Sequence, residues 1–449
     1  MPRLNFSLIL FALLVYALTA SVTLRDRLLV STLHHIERES FFEPSAKDLF
    51  EGAMSGMVDL LSDKLGDVNS RYISQSGQAR YMDSANNQYV GFGFSFKTYD
   101  EEEGKKLIVL FPFPDSPAYR AGLRSGDQIL EIDGTPIADK TRHEILDLLK
   151  QEKESETRLS IVPFGETESN VCSLRPEKIH YDSVSGDYFG SDGQAFYLET
   201  HPKVGYIRIT SFTGTTAKEF GNALERMIQN GVESFILDLL DNPGGDVWNC
   251  VQVAQMLISP ETDRKIIATL RDRSGQKRSF GLTEGTQRCT LPMVVLIDGE
   301  SASSAEILAA ALQDYHRATI IGTRSFGKGV IQGIITLPFQ SGILQLTDAE
   351  YRRPNGANIH RKKDAADSED WGVIPDRVIE LSDAERSAVI EYRALRSNVV
   401  STHRLTVLDC FRQKIIEGLE QENAELSGTA PYYDVQLEEA IGVLTNIEQ

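Results

Sequence analysis

The chain has 449 residues, of which 41% are hydrophobic and 25% are charged, as in an ordinary globular protein of two or three folding units. Its formal net charge of −19 argues against a nucleic-acid ligand, because phosphate backbones are bound by basic surfaces. The four cysteines form no C-x-x-C motif and none of the eight histidines lies in an H-E-x-x-H motif, so the sequence predicts no metal site and no cofactor.

The N-terminus carries an apolar segment. Residues 4–24 are uncharged and mostly apolar, with basic residues on both flanks. This stretch is long enough to span a bilayer, and a run of this length at an N-terminus is more often a targeting segment than part of a core. We interpret residues 1–27 as a signal peptide or, by preference, an uncleaved membrane anchor. The remainder would then lie outside the cytoplasm, on the periplasmic or lumenal side.

A helix is predicted next, followed by a small β-rich module. Ser45 and Asp48 have the spacing of a capping box, and apolar residues then recur at helical spacing to about Leu65. This helix lies in a predicted helical segment of residues 28–80. Residues 81–165 are predicted to form a separate module, with strands near 89–96, 107–111, 128–132 and 158–162 and a helix near 141–151.

The next region, residues 166–381, is predicted to be an α/β core because strand and helix patterns alternate from Val204 onward. Strands are expected near 204–210, 235–240, 265–270, 293–297 and 318–321, and helices near 216–230, near 247–257 and after Ser303. Residues 382–449 carry helical signals and are expected to form a helical extension.

A serine cluster lies where a predicted strand ends and a predicted helix begins. Its sequence is Ser301-Ala302-Ser303-Ser304-Ala305-Glu306. Backbone N–H groups at a helix start lack partners within the helix, so an oxyanion formed there would meet hydrogen-bond donors. Alone, such a cluster is more often a helix cap than a nucleophile. For Glu306, the sequence favours a capping role over contact with substrate.

Lys328 lies between two glycines, which would permit close approach of other backbone. A lysine acts as a base only if its pKa falls from about 10.4 toward neutrality, as burial without a carboxylate partner can achieve. A solvated loop lysine is the alternative, and the spacing of a phosphate-binding P-loop is absent. Gln332 could hold the lysine side chain if the segment forms a helical turn, whereas in a strand the two would lie about 13 Å apart.

Two further features lie near these residues in sequence. The turn Asp241-Asn242-Pro243-Gly244-Gly245-Asp246 follows an apolar strand. The N–H group of Gly244 or Gly245 could meet an oxyanion together with the N–H of Ser304, although an isolated Asn-Pro-Gly-Gly is merely a turn. Asp314 would lie about 16 Å from Ser303 along a helix axis, so we expect it to anchor a neighbouring loop.

Five motifs occur in the order found in the carboxyl-terminal processing proteases, also called tail-specific proteases. They are Asn242-Pro243-Gly244-Gly245, Ser301 to Glu306 continuing through Gln313-Asp314, Gly322 to Gln332, Tyr351-x-x-Pro354-x-Gly356 and Pro375-Asp376. In addition, Gly91-Phe92-Gly93-Phe94, followed by Asp115-Ser116-Pro117-Ala118, resembles the start of their embedded PDZ domain. The resemblance covers roughly residues 30 to 380.

This resemblance implies a fold and a set of site residues. The fold would be an α/β crotonase-like protease core with an inserted PDZ domain and helical segments at both ends. Ser303 would be the nucleophile, Lys328 the general base and Gln332 the orienting partner of the lysine. The choice of Ser303 over Ser304 rests on its spacing to the later motif residues. Supporting roles would fall to Glu306, Asp314 and Ser325.

The Gly91–Phe94 loop has a physical interpretation of its own. Its N–H groups could capture a terminal carboxylate while the peptide adds to the adjacent strand edge. A plain strand is one alternative, and a dinucleotide-binding loop is another, although the latter requires G-x-G-x-x-G at the start of a helix. The PDZ-like module would bind substrate tails and gate the protease.

Taken together, these features predict a metal-free serine endopeptidase that cleaves exported or membrane proteins near their free C-termini. A catalytically silent peptide-binding adaptor on a protease-like core is the competing hypothesis. An acyl-CoA-handling enzyme is a weaker one. The helices at the two ends could support a homodimer, but they could equally pack on their own core.

Overall fold

The computed structural model describes residues 23–101, 104–149, 156–190, 193–261, 265–362, 365–366, 369–400, 404–422 and 434–446. The apolar segment interpreted as a signal or anchor lies outside these ranges, apart from its last two residues. Among the described helices, none is long and apolar enough to cross a membrane. The chain forms two compact units, each made of two stretches of sequence. The first unit combines the residues up to Gln78 with Gln332–Thr347. The second combines Ala79–Ile331 with the residues from Asp348 onward.

The helices of the described residues include those predicted near 45–65, 141–151, 216–230 and 247–257 and after Ser303. They are α1 Leu24–Glu39, α2 Ala46–Leu65, α3 Gln75–Ala85, α4 Pro117–Arg120, α5 Arg142–Leu149, α6 Thr216–Gln229, α7 Val247–Leu257, α8 Ser304–Asp314, α9 Asp383–Asn398, α10 Arg404–Glu422 and α11 Val435–Asn446. A 3-10 turn spans Pro338–Gln340. Helix α2 confirms one half of the predicted capping box, because the Ser45 hydroxyl accepts the Asp48 N–H at 3.0 Å.

The strands comprise short pieces in the first half and longer ones in the core. They are β1 Arg71–Ile73, β2 Gln88–Gly91, β3 Phe94–Glu101, β4 Gly104–Pro112, β5 Gln128–Ile132, β6 Thr135–Pro136, β7 Thr157–Val162, β8 Asn170–Leu174, β9 Glu177–His180, β10 Val184–Ser185, β11 Tyr188–Gly190, β12 Gly193–Ala195, β13 Val204–Ile209, β14 Ser234–Asp238, β15 Ile266–Asp272, β16 Lys277–Gly281, β17 Met293–Ile297, β18 Thr319–Gly322, β19 Val330–Thr336, β20 Ile343–Arg352 and β21 Arg377–Val378.

In the first unit, α1 and α2 contact each other, and β1 pairs antiparallel with the early part of β20, from Arg71 opposite Gln345 to Ile73 opposite Ile343. Several large apolar side chains of these two helices are exposed, including Leu24, Leu28 and Leu60.

The second unit is built around a sheet of order β10-β13-β14-β17-β18-β21, which is parallel from β13 to β21. Strands β13, β14 and β17 are buried along their whole length, as expected for parallel strands covered on both faces. Alternate residues face opposite layers: Leu237 packs with the layer of helices α6, α7 and α8, whereas Ile236 packs with α11. This confirms the predicted α/β core.

The order of these strands positions the site. Strands β14 and β17 are parallel neighbours, and both are followed at once by turns, residues 239–246 after β14 and residues 298–303 after β17. The carboxyl ends of neighbouring parallel strands meet at one edge of a sheet, which is where α/β proteins place their ligand sites. The Asn-Pro-Gly-Gly turn and the serine cluster are therefore brought together by topology.

The predicted β-rich module is also present in the second unit. Its antiparallel sheet has the order β3-β4-β5-β7-β8 and packs around its own apolar cluster, which includes Leu107, Ile129 and Leu159. Strand β8 lies beyond residue 165, the boundary expected from sequence. Among the described residues, β3 pairs only with β4, so its outer edge forms one side of the sheet.

Candidate active site

The serine cluster forms a sharp turn at the start of α8. Ser303 has φ 55° and ψ −116°, a strained backbone conformation for a residue with a side chain. The hydroxyls of its two serine neighbours are buried and bonded to carbonyls: Ser301 donates to Leu239 at 2.8 Å and Ser304 donates to Gly245 at 2.9 Å. Ser303 is partly exposed. Of the three serines, Ser303 is therefore the one that solvent or a substrate can reach.

The Asn-Pro-Gly-Gly turn is held by the buried side chain of Asn242. Its Nδ2 donates to the Ile209 carbonyl at 2.8 Å and its Oδ1 accepts the Gly244 N–H at 2.8 Å. Its backbone carbonyl accepts the Ala302 N–H at 2.9 Å, which joins this turn to the serine turn. Sequence reasoning did not assign Asn242 a role, although Asn before Pro-Gly is a known side-chain turn signal.

Both glycines of the turn are required by close contacts. Gly244 has φ 91°, and a Cβ there would lie 2.7 Å from the Ala302 carbonyl oxygen and 2.8 Å from the Ser304 nitrogen. Gly245 has φ 133°, and a Cβ there would lie 2.0 Å from the Phe212 carbonyl oxygen. The turn thus lies directly against the backbone of the serine cluster.

The Glu306 carboxylate connects the serine turn with the lysine segment. It is fully buried and accepts four hydrogen bonds. Oε2 accepts the N–H of Ser303 and of Lys328, each at 2.8 Å. Oε1 accepts the Gly327 N–H at 2.7 Å and the Ser325 hydroxyl at 2.5 Å. The capping role predicted for Glu306 is confirmed, and three further contacts extend it.

Burial raises the pKa of Glu306, and its four donors oppose that rise, led by the Ser325 hydroxyl. Nearby, the buried Tyr351 hydroxyl donates to the Ser303 carbonyl at 3.0 Å. Burial, with the Glu306 charge beside it, raises the pKa of Tyr351 well above its ordinary value, so the phenol stays a neutral donor. Tyr351 belonged to a recognised motif, but its partner could not be found from spacing.

The lysine segment confirms the prediction of close backbone approach. A Cβ on Gly327 would lie 2.8 Å from the Arg361 Cβ, and one on Gly329 would lie 2.5 Å from the His360 nitrogen. The Gly327 carbonyl accepts the Arg361 N–H at 2.8 Å, and Lys328 itself is half-buried. The path of the lysine backbone is therefore fixed on both sides.

Two of the residues predicted to have supporting roles, Ser325 and Asp314, make contacts with neighbouring loops. Ser325 is buried and, besides contacting Glu306, accepts the Val373 N–H at 2.7 Å. Asp314 anchors a neighbouring loop, as predicted, through an ion pair with Arg353 at 2.7 Å and a bond from the Asn355 N–H at 3.0 Å.

Gln332 lies in strand β19, so the helical turn that its predicted contact with Lys328 required is not formed. Gln332 belongs to the other compact unit, where its amide donates to the Thr347 hydroxyl at 3.2 Å.

The Gly91–Phe94 loop joins β2 to β3 in the β-rich module. Its inner carbonyls are tied to the segment that follows β4: Phe92 accepts the Ala118 N–H at 3.0 Å, and Gly93 accepts the Phe113 N–H and the Ser116 hydroxyl, both at 2.8 Å. Gly93 has φ 79°, and a Cβ there would lie 2.2 Å from the Ser116 Cβ. These contacts fix the loop at the start of the edge strand β3.

Family models and known relatives of this chain point to the same family of proteins. Residues 203–379 match the model of peptidase family S41, and residues 113–163 match a PDZ-domain model. The carboxy-terminal-processing protease of Bartonella bacilliformis is 30% identical over 411 residues, which cover 89% of this chain and 84% of that protein. The carboxyl-terminal-processing protease of Synechocystis is 33% identical over 298 residues, 65% of this chain and 64% of that protein.

A solved structure described as an S41 protease from Bacteroides fragilis shares the fold, with a TM-score of 0.53 at 19% identity over 86% of this chain and 97% of that one. The family match and these relatives show that the chain is a serine-type peptidase. The chain belongs to the carboxyl-terminal processing proteases of peptidase family S41.

The Glu306 network leads to a testable prediction. Glutamine in place of Glu306 has a single accepting oxygen, so two of the four donors would face its NH2 group. We expect the free energy of unfolding to fall by about 2–4 kcal/mol and the rate of peptide cleavage to fall at least about tenfold. Urea denaturation and steady-state kinetics measure the two effects. Glu300→Gln, at an exposed site of the same turn, is the matched control and should change neither. Equal behaviour of the two variants would contradict the role given to Glu306.

Proposed function

We propose that this peptidase uses Ser303 as nucleophile and Lys328 as general base to cleave proteins near their C-termini. One observation carries the proposal. The backbone nitrogens of Ser303 and Lys328 each lie 2.8 Å from the same atom, Glu306 Oε2, so they are no more than twice that distance apart. A buried carboxylate thus holds the two residues next to each other in the fold, although they are far apart in sequence.

The proposed reaction is an acyl transfer in two steps. Ser303 Oγ attacks the scissile carbonyl carbon while the neutral Lys328 amine takes the hydroxyl proton. The resulting ammonium protonates the leaving amine as the peptide bond breaks, which leaves an acyl-enzyme. Water, deprotonated by the same amine, then hydrolyses the ester and restores Ser303. The resemblance to the family adds Gln332 as a partner of the lysine, and a crotonase-like description of the core.

The oxyanion would be held by backbone N–H groups at the meeting point of the two turns. Ser304 supplies the first donor, since it is the first residue of α8. Gly244 and Gly245 are the candidates for the second. Because the Gly244 N–H already donates to Asn242 Oδ1 at 2.8 Å, we favour Gly245.

The PDZ domain is proposed to bind the substrate C-terminus. The Gly91–Phe94 loop would receive the carboxylate, and the peptide would add to the outer edge of β3, which is the usual geometry of strand addition. Occupancy of this site would gate the protease. An exported location, with an N-terminal anchor, fits substrates that are exported or membrane proteins. Pairing of two copies through the terminal helices stays a prediction, which sedimentation of the full-length protein tests.

The test combines labelling with product analysis. The full-length protein is treated with a fluorophosphonate, which phosphonylates activated serines, and the modified peptide is identified by mass spectrometry. In parallel, an unstructured protein with an apolar C-terminal tail is incubated with the enzyme, and its fragments are mapped. We expect a single adduct on Ser303 and cuts near the C-terminus. Tail binding with neither adduct nor cuts would instead support the adaptor hypothesis.

A further inference from the structure

Helix α9 lies outside both regions that match family models, yet one of its side chains reaches the turns of the active site. Arg386 Nη1 lies 3.3 Å from Asp241 Oδ1 and 3.2 Å from Asp298 Oδ2. Asp241 begins the Asn-Pro-Gly-Gly turn, and Asp298 follows β17 at the start of the serine turn. A single guanidinium therefore contacts both turns.

Asp298 joins the two turns at a second point, in addition to the bond from the Ala302 N–H to the Asn242 carbonyl. Its side chain is 2% exposed, and its Oδ1 accepts the N–H groups of Asp241 and Ser301, each at 3.0 Å. The Ser301 hydroxyl also lies 3.1 Å from Oδ1. A buried carboxylate is costly unless it is paired, and among the described residues the ion pair of Asp298 is with Arg386. Removing the guanidinium would leave this carboxylate without a compensating charge.

Helix α9 is itself held from two sides. Arg393 makes an ion pair at 2.7 Å with Asp238, the last residue of β14, and both side chains are buried. Glu391 makes one at 2.5 Å with Lys97 of the PDZ edge strand β3. Because the helix is fixed in this way, Arg386 approaches the turns from a defined position.

We propose that Arg386 is a positioning residue for the oxyanion site. It acts through Asp241 and Asp298, which set the separation of the Gly244–Gly245 turn from the Ser303–Ser304 turn. This inference rests on the proposed function, because it assumes that these turns supply the oxyanion donors. A displacement of such donors by a fraction of an ångström weakens stabilisation of the transition state more than binding of the substrate.

The test compares steady-state kinetics of full-length Arg386→Gln with those of the unmodified protein. We expect kcat to fall about 10- to 100-fold while KM stays within about twofold. Arg386→Lys, which keeps a charge near Asp298, should recover part of kcat. Arg404→Gln is the matched control, since Arg404 on α10 is 12% exposed and paired with Glu199, which belongs to neither turn. Arg404→Gln should keep the kcat of the unmodified protein, even if its melting temperature falls as far as that of Arg386→Gln.

A second measurement addresses folding and specificity. Asp241→Asn keeps the side-chain shape and the left-handed backbone, for which φ is 59°, and removes only the charge facing Arg386. Its loss of kcat should be sub-additive with that of Arg386→Gln. If Arg386→Gln does not fold, Asp241→Asn and Arg386→Lys carry the test, and unchanged kcat in both would overturn the inference. Unchanged kcat in a folded Arg386→Gln would do the same.

If the proposed function itself is wrong, the results will differ from those expected when only the role of Arg386 is wrong. In that case the unmodified protein would show no cleavage that depends on Ser303, and no fluorophosphonate adduct on that residue. If cleavage and labelling are both present while the Arg386 variants keep full kcat, only the positioning role is lost.

Discussion

Replacing Ser303 with alanine is expected to abolish cleavage, lowering kcat by at least about 10,000-fold. The reason is chemical rather than structural. Two contacts that hold this turn use the Ser303 backbone, namely the N–H that donates to Glu306 and the carbonyl that accepts from Tyr351. Both survive the substitution. Mass spectrometry of products from the unstructured substrate measures the activity, and binding of the C-terminal tail should remain.

Ser304→Ala is the matched control for this result. The Ser304 hydroxyl is buried and donates to the Gly245 carbonyl at 2.9 Å, so its loss removes one hydrogen bond worth about 1 kcal/mol. We expect cleavage to continue, with at most a modest fall in kcat. If Ser303→Ala still cleaves and Ser304→Ala is inactive, the nucleophile is Ser304 rather than Ser303.

Much of this architecture could be predicted because its determinants are local. Helix α7 was expected near 247–257 and is found at Val247–Leu257, and β17 was expected at 293–297 and is found there. In both, apolar periodicity and turn residues agree with the final packing. The loop-anchoring role of Asp314 followed from helix geometry alone, because three turns of helix separate it from Ser303.

The rest depended on contacts between distant parts of the chain. The sequence signals made Glu306 a helix cap, and nothing in its spacing indicated that Lys328 and Ser325 would converge on the same carboxylate. The helical turn expected at Gln332 was wrong for a related reason. A helical turn was allowed by spacing, but residues Val330–Thr336 pair as a strand with β20, and pairing partners cannot be read from one segment. Arg386 was missed because α9 could only be described as helical.

The second large effect is expected from replacing Lys328, either with alanine or with arginine. The segment around Lys328 is held by its backbone, through the N–H that donates to Glu306 at 2.8 Å and through the close contacts of Gly327 and Gly329. Neither substitution removes these backbone contacts, so the segment should keep its path in both variants. Both variants should nevertheless lose about 1,000-fold or more in kcat, because a methyl group cannot accept a proton and a guanidinium does not release one near neutral pH.

The arginine variant separates two roles that alanine cannot. If Lys328 served as a fixed positive charge, for example to hold the substrate or the oxyanion, arginine would restore most of the activity. If it serves as a base, arginine should be as inactive as alanine, and fluorophosphonate labelling of Ser303 should be slowed equally in both. Cleavage by Lys328→Arg within tenfold of the unmodified rate would therefore rule out the lysine as base while leaving Ser303 as nucleophile. The Glu306 carboxylate would then remain the group that holds the two segments together, and the base would have to be sought elsewhere.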